Sequence, residues 1–360
     1  MIRTTPWLRK AGTALGMLAG LALATTASAG TVRFEGQGHT ENPVWSTDGR
    51  YIAFEVNPLG SGDTHMFIAE VSGSVAKDAK RMSLPGGGGG FGAGNQVAIN
   101  PAWSSQGVAL FEGSNQGGQF RIYYASPTGG GASEMLPTSM IAGDVTMPTL
   151  SPDGSNMAFV SDLTGNGDLR QWNSSTNAIT QLTNSEGTEM FPQYSADGSK
   201  IVFTRKRNSI EAVYMIDLAS GEERTVSSGN TDRSRPAFAG DRVVFLSQRE
   251  AEWDLVSVDM NGQGRETLAR NVRVGTHGRP QITPDGRYVA FASNDPTQSS
   301  TVTLARVDGS GTVDIPTEFV ACGEPAVTVV DGRTYLAFTA LPDADAAYRF
   351  LEVMDITGRI

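Results

Sequence analysis

Short apolar runs recur along this chain, each preceded about eleven residues earlier by a proline. The prolines are Pro43, Pro101, Pro148, Pro192, Pro236, Pro280 and Pro325, and the phenylalanines near the ends of the runs are Phe54, Phe111, Phe159, Phe203, Phe245, Phe291 and Phe338. Successive prolines lie 58, 47, 44, 44, 44 and 45 residues apart. Runs such as Tyr51-Ile52-Ala53-Phe54 and Val243-Val244-Phe245-Leu246 are continuous rather than alternating, the pattern of strands covered on both faces. Between proline and run stands turn chemistry: Asp48-Gly49, Asp153-Gly154, Asp197-Gly198, Asp285-Gly286 and Asp331-Gly332. A third strand follows with alternation, as in Ala212-Val213-Tyr214-Met215-Ile216-Asp217, and then a brief polar fourth, as in Arg224-Thr225-Val226-Ser227. Four antiparallel strands in about 44 residues make one propeller blade. Seven such repeats predict an all-β, seven-bladed β-propeller of four-stranded antiparallel blades.

The two ends complete the count. From Pro325 to Ile360 there is room for three strands only, while Thr31-Val32-Arg33-Phe34-Glu35-Gly36 reads as a strand with no blade of its own. The N-terminal strand is therefore expected to complete the last blade and close the ring, removing open sheet edges. The long first interval locates an insertion of about fourteen residues around the glycine-rich residues 86–94, a flexible surface loop or a lid tipped by Phe91.

Residues 1–29 read as a secretory signal peptide: Arg3, Arg9 and Lys10, a small-residue apolar stretch, then Ala27-Ser28-Ala29 as the cleavage site. Residues 30–360 form the propeller, expected in the periplasm or secreted. The net charge of -10 becomes -13 once the three basic leader residues are removed. An acidic surface with no basic tract argues against nucleic acid and anionic lipid as partners, and no later apolar stretch reaches the ~18 residues of a membrane span. The single cysteine, Cys322, excludes an internal disulfide and follows an apolar run, so a buried, inert thiol is expected. A monomer without cofactor is the expected state.

The repeat resembles that of the TolB-type propeller family, also described as the PD40 or WD40-like repeat, with its pattern P-x-W-S-P-D-G-x-x-I-A-F followed by S-D-x-x-G. Here the pattern stands as Pro43-Val44-Trp45-Ser46-Thr47-Asp48-Gly49, as the segment from Pro148 to Phe159, and as Ser161-Asp162-Leu163-Thr164-Gly165. The resemblance covers essentially the whole chain after the leader and implies the fold. TolB itself carries an additional N-terminal α/β domain and six blades, features this sequence is not expected to share, so a Tol–Pal role does not carry over. Related propellers joined to an α/β-hydrolase domain form peptidases, but no G-x-S-x-G elbow is present here.

Propellers bind at the face whose loops enter the innermost strands, here the segments directly before each proline. Candidate binding residues on that face are His39, Glu41, Arg233, Arg235, His277, Arg279 and Glu324. Arg235 and Arg279, each one residue before a proline in adjacent blades, suit a carboxylate or sugar acid. His39, His277 and Glu324 fall in consecutive blades of a closed ring and are the candidate metal or acid–base group. The segment Asp162-Leu163-Thr164-Gly165-Asn166-Gly167-Asp168 lacks the spacing of a calcium loop and reads as a tight turn. The sequence thus points to a non-enzymatic scaffold binding an envelope protein or another periplasmic ligand. The alternative is a metal-dependent enzyme on an anionic saccharide, similar to oligogalacturonate lyases.

Overall fold

The turn after each innermost strand is built the same way in blade after blade. Ser46 donates its hydroxyl to Asp48 Oδ1 (2.6 Å) and accepts the Tyr51 N–H (2.9 Å). Ser151 does the same with Asp153 and Asn156, Ser195 with Asp197 and Lys200, and Thr283 with Asp285 and Tyr288. The following glycine takes the left-handed conformation that its missing Cβ permits, with φ of 72° at Gly198 and 73° at Gly286. At Gly286 a Cβ would also lie 2.6 Å from the backbone nitrogen of Gly240 in the preceding blade. Hydroxyl, carboxylate and glycine therefore satisfy the turn's backbone locally and return the chain at a fixed register.

These corners connect strands called here inner, second, third and outer, from the channel outward. The structure, a computed structural model, describes residues 29–32, 38–77, 79–86, 96–115, 118–137, 139–275 and 278–360. Seven sheets form the seven blades. The inner strands are Gly38–Trp45, Gln96–Trp103, Val145–Leu150, Thr188–Tyr194, Arg233–Ala239, Gln281–Ile282 and Ala321–Val330. Blade one carries two additions to its four strands: Val75–Ala76 pairs with its third strand, and Gly130–Gly131 from blade two runs parallel to its outer strand.

The ring closes as the ends of the sequence imply. Ala29–Val32 pairs antiparallel with Phe350–Asp355 as the outer strand of blade seven, with Ala29 opposite Met354 and Val32 opposite Leu351. The strand begins two residues before the expected Thr31, because its partner offers its edge from Met354 to Leu351; residues 33–37 lie outside the described residues. Residues 87–95 of the expected insertion and residues 1–28 of the expected 1–29 leader also lie outside them.

Burial explains the repeated phenylalanine. Phe54, Phe111, Phe159, Phe203, Phe245 and Phe338 are each fully buried. The core is a series of seams between adjacent blades. Ile52 and Phe54 pack with Tyr335 and Leu351, Leu110 and Ile122 with Met157 and Phe159, and Val202 and Val213 with Val243 and Phe245. Fully burying one such side chain contributes roughly 1.5–3 kcal/mol. The tryptophan of the P-x-W motif ties the same seams: Trp103 Nε1 donates to Val44 O of the preceding blade (3.0 Å), and Trp45 Nε1 to Ala326 O across the ring closure (3.2 Å). Cys322 is buried, as its sequence context implies. No helix among the described residues is long and apolar enough to cross a membrane.

Candidate functional site

The proline and phenylalanine of each repeat meet across a β-bulge. In blade one, Glu41 pairs with Glu55 and Val44 with Ala53, so Asn42 and Pro43 together oppose the single Phe54. The same two-against-one arrangement sets Asn100-Pro101 against Phe111, Met147-Pro148 against Phe159 and Phe191-Pro192 against Phe203. Arg235-Pro236 opposes Phe245 and Glu324-Pro325 opposes Phe338. A bulge leaves a position without a ladder bond, where proline's missing N–H costs nothing. The eleven-residue interval is thus the distance around one corner from one side of the bulge to the other.

This pairing corrects the expectation of loops before the prolines. In blades one to five and in blade seven the inner strand already begins three to five residues earlier, because the second strand continues past the bulge and pairs with it. His39, Glu41, Arg233, Arg235 and Glu324 are therefore strand residues.

The residue before the proline is left-handed in six blades: Asn42, Asn100, Met147, Phe191, Arg235 and Glu324, with φ between 44° and 55°. Residues other than glycine seldom adopt this conformation. The conformation turns each backbone N–H away from its own ladder, and the preceding blade supplies several acceptors. Asn42 N donates to Glu324 Oε2 (2.6 Å), Asn100 N to Glu55 Oε1 (2.9 Å), Phe191 N to Met147 Sδ (3.2 Å) and Arg235 N to Thr204 Oγ1 (3.0 Å). Blade six departs: its inner strand is only Gln281–Ile282, Arg279 is not left-handed, and Phe291 is only partly buried.

Together these pre-proline residues form a neck around the channel. Phe191 lies beneath two guanidinium groups, with Arg235 5.1 Å and Arg279 5.7 Å from its ring centroid. The structure thus brings together the two arginines singled out from sequence, though with different tasks. Arg235 Nη1 donates to Gly275 O and Gly278 O (2.7 and 2.6 Å), holding the segment that enters blade six. Arg279 Nη1 reaches across to Pro192 O (2.7 Å). Burial, the main cause, lowers the Arg279 pKa to about 10. On the other side of the neck, Asn42 Nδ2 and Asn100 N share Glu55 Oε1, and Asn100 Nδ2 donates to Glu112.

Glu324 is the most perturbed carboxylate of the neck. Burial pushes its pKa up to about 7; the Asn42 N–H opposes this, and the nearby charges of Glu41 and Glu55 add to it. Its carboxyl lies against Gly275, where a Cβ would sit 1.7 Å from Oε1, so a side chain at position 275 would displace the Glu324 carboxyl. Glu324 and Arg279 also line a small cavity of about 50 Å³ walled by Leu246, Leu255 and Phe291.

The remaining candidates are dispersed. Glu41 Oε2 accepts from Asn57 Nδ2 (2.8 Å), and His39 stands two residues away on the same strand face. Arg233 binds its own approach, donating to Thr231 O and Asp232 O (2.8 and 3.0 Å). His277, the third member of the expected His39, His277 and Glu324 group, lies outside the described residues. Among the described residues no group of three His, Cys, Asp or Glu side chains is placed to hold a metal ion. In the Asp162 segment, Asp162 Oδ1 accepts the Asp144 N–H (2.7 Å) of the segment entering the same blade, while Asp168 accepts from Thr164 and from the Ser185 N–H, so both carboxylates are taken up by protein donors. Sequence reasoning missed Asn42, Asn100, Met147 and Phe191, although their one signal, the place before the proline, is the one that marks Arg235, Arg279 and Glu324.

Comparison with known proteins agrees with this architecture. The family model PD40, the TolB β-propeller domain, matches residues 134–330, more than half of the chain. The Agrobacterium fabrum protein Atu1656 is 25% identical over 275 residues, covering 72% of this chain and 86% of that one. The Tol-Pal system protein TolB of Francisella tularensis subsp. holarctica is 23% identical over 160 residues, 44% of this chain and 37% of that protein, so the match spans well under half of TolB's length. Among solved structures, the oligogalacturonate lyase of Vibrio parahaemolyticus superposes with a TM-score of 0.58 at 8% identity, covering 90% of this chain and 91% of that one, a likeness of fold alone. With the repeat, the bulged inner strands and the family match in agreement, the chain belongs to the PD40 family of TolB β-propeller domains.

Proposed function

We propose that the protein is an exported, non-enzymatic scaffold of the cell envelope that receives a protein partner on the face leading into the neck. The observation that carries this reading is the neck itself. Six positions share one backbone conformation yet present Asn, Asn, Met, Phe, Arg and Glu. The bulge does not dictate these side chains, so the positions are free to carry the charged, amide and aromatic groups of a recognition surface. The same face exposes Leu59, Leu163, Ile210 and Val320, apolar side chains suited to a partner's contact. The leader at residues 1–29 and the TolB relative support placement in the periplasm.

In-cell photo-crosslinking tests the reading. A probe at Leu163 or Ile210 should capture one discrete envelope protein, while a probe at Thr47 on the corner face should capture none. Equal capture from both faces, or none from either, contradicts it. The second reading, an enzyme acting on an anionic saccharide, draws on Glu324, a partly buried carboxyl whose pKa of about 7 suits acid–base work. Metal analysis of the purified protein with and without His277→Ala decides it: absence of stoichiometric metal removes the metal-dependent form of this reading.

A further inference from the structure

The central channel holds an arginine, Arg279, that forms no ion pair among the described residues. Arg279 lines a cavity of about 280 Å³ whose wall comes from the inner strands of blades one, two, three, four and six, with Asn42, Asn100, Trp103, Thr149 and Gln193 among its residues. Several of these lie after the prolines, so the cavity sits on the corner side of the neck, away from the face that Leu163 and Ile210 occupy. Two arginines elsewhere are neutralised, Arg121 by Glu134 and Arg205 by Glu189 and Glu223, whereas the buried Arg170 donates to the neutral Gln181. Among the described residues Arg279 makes no ion pair; its one hydrogen bond goes to the Pro192 carbonyl, and the Phe191 ring lies against it. The carboxylate whose field reaches it, Glu112, already receives the Asn100 side-chain amide.

A partly buried charge with no counterion is costly, because desolvation is not offset by a nearby opposite charge. A bound anion would relieve that cost, and the planar guanidinium fork matches a carboxylate. Neutral donors stand nearby. Gln193 accepts the Phe238 N–H at Oε1 (2.6 Å), which leaves its Nε2 to donate, and Thr149 offers a hydroxyl. The cavity equals the volume of about nine waters at roughly 30 Å³ each, room for a small molecule.

We propose that the central channel is a binding site for a small carboxylate, seated on Arg279 with Gln193 and Thr149 beside it. The site is independent of the entry-face reading, and each stands or falls on its own experiment.

Calorimetric titration of the mature chain with succinate, and separately with its uncharged diamide, tests the proposal at matched ionic strength. Succinate should bind with one-to-one stoichiometry and perturb the fluorescence of Trp103, a perturbation lost in Trp103→Phe; the diamide should do neither. Arg279→Gln should weaken succinate at least tenfold. Equal binding of succinate and diamide, no binding of succinate at millimolar concentration, or unchanged affinity in Arg279→Gln would each overturn the proposal. If Arg279→Gln does not fold, the comparison of succinate with diamide on the unaltered protein still decides.

Discussion

Each inner strand has two ends that obey different rules. At the corner end, four blades repeat one hydrogen-bonded unit of hydroxyl, carboxylate and glycine. At the neck end, six blades repeat one backbone conformation but almost never the same side chain. Fold-specifying positions keep their chemistry because the turn's backbone groups can be satisfied in few ways. Positions that need only a bulge are free to differ, and there the charged and aromatic residues collect.

The contrast can be broken or sharpened by substitution. The largest effect is expected at the neck, from Glu324. Its carboxyl binds a proton more tightly when folded, with a pKa near 7 against 4.5 in the unfolded chain. Between those values the folded protein holds a proton that the unfolded chain lacks, so stability falls as pH rises from about 4.5 to 7 and is level outside that window. The fall should be on the order of 3 kcal/mol. Glu324→Gln should flatten it, as urea unfolding at pH 5 and pH 8 would show; an unchanged slope would assign the pH dependence to other groups.

At the corner, Ser195→Ala removes the donor to Asp197 and the acceptor for the Lys200 N–H. A loss of about 1–3 kcal/mol is expected at neutral pH. A smaller loss, of about 1–2 kcal/mol, should follow Gly198→Ala, which forces a side chain into φ of 72°. Chemical denaturation of both variants checks whether corner chemistry or corner backbone matters more.

The mildest corner effect concerns acid. Hydrogen bonds from Ser151 and Ser195 hold Asp153 and Asp197 at about 2, below the ordinary 3.8. Their contribution is present above pH 4 and should be lost as pH falls toward 2. Because both carboxylates are exposed, carboxylate NMR titration is the suitable measurement; ordinary values near 3.8 would remove this explanation of the corner.

The same division explains what the sequence makes legible. The corner can be read because Ser-x-Asp-Gly names its own turn, and with it come the strand order, the blade count and the closing N-terminal strand. The neck is less legible. Nothing in Met147, Phe191 or Arg235 favours a left-handed backbone; pairing with the second strand on both sides imposes it. Loops were therefore expected where strands run on. Arg235, Arg279 and Glu324 stood out by charge, while Phe191 and Met147 looked like ordinary apolar residues, although Phe191 is where the two arginines meet. Blade six, with its short inner strand and partly buried Phe291, departs from the repeat although its Pro280 and Phe291 keep the pattern.

The central claim is that corners make the fold and the neck makes the recognition surface. The most direct test measures photo-crosslinked partner yield from a probe at Ile210 in two variants matched for unfolding midpoint. One carries Phe191→Asn, a residue tolerant of the left-handed conformation; the other carries Ser195→Ala. The neck variant should lose capture while the corner variant retains it. Capture lost in the corner variant and kept in the neck variant would contradict the account.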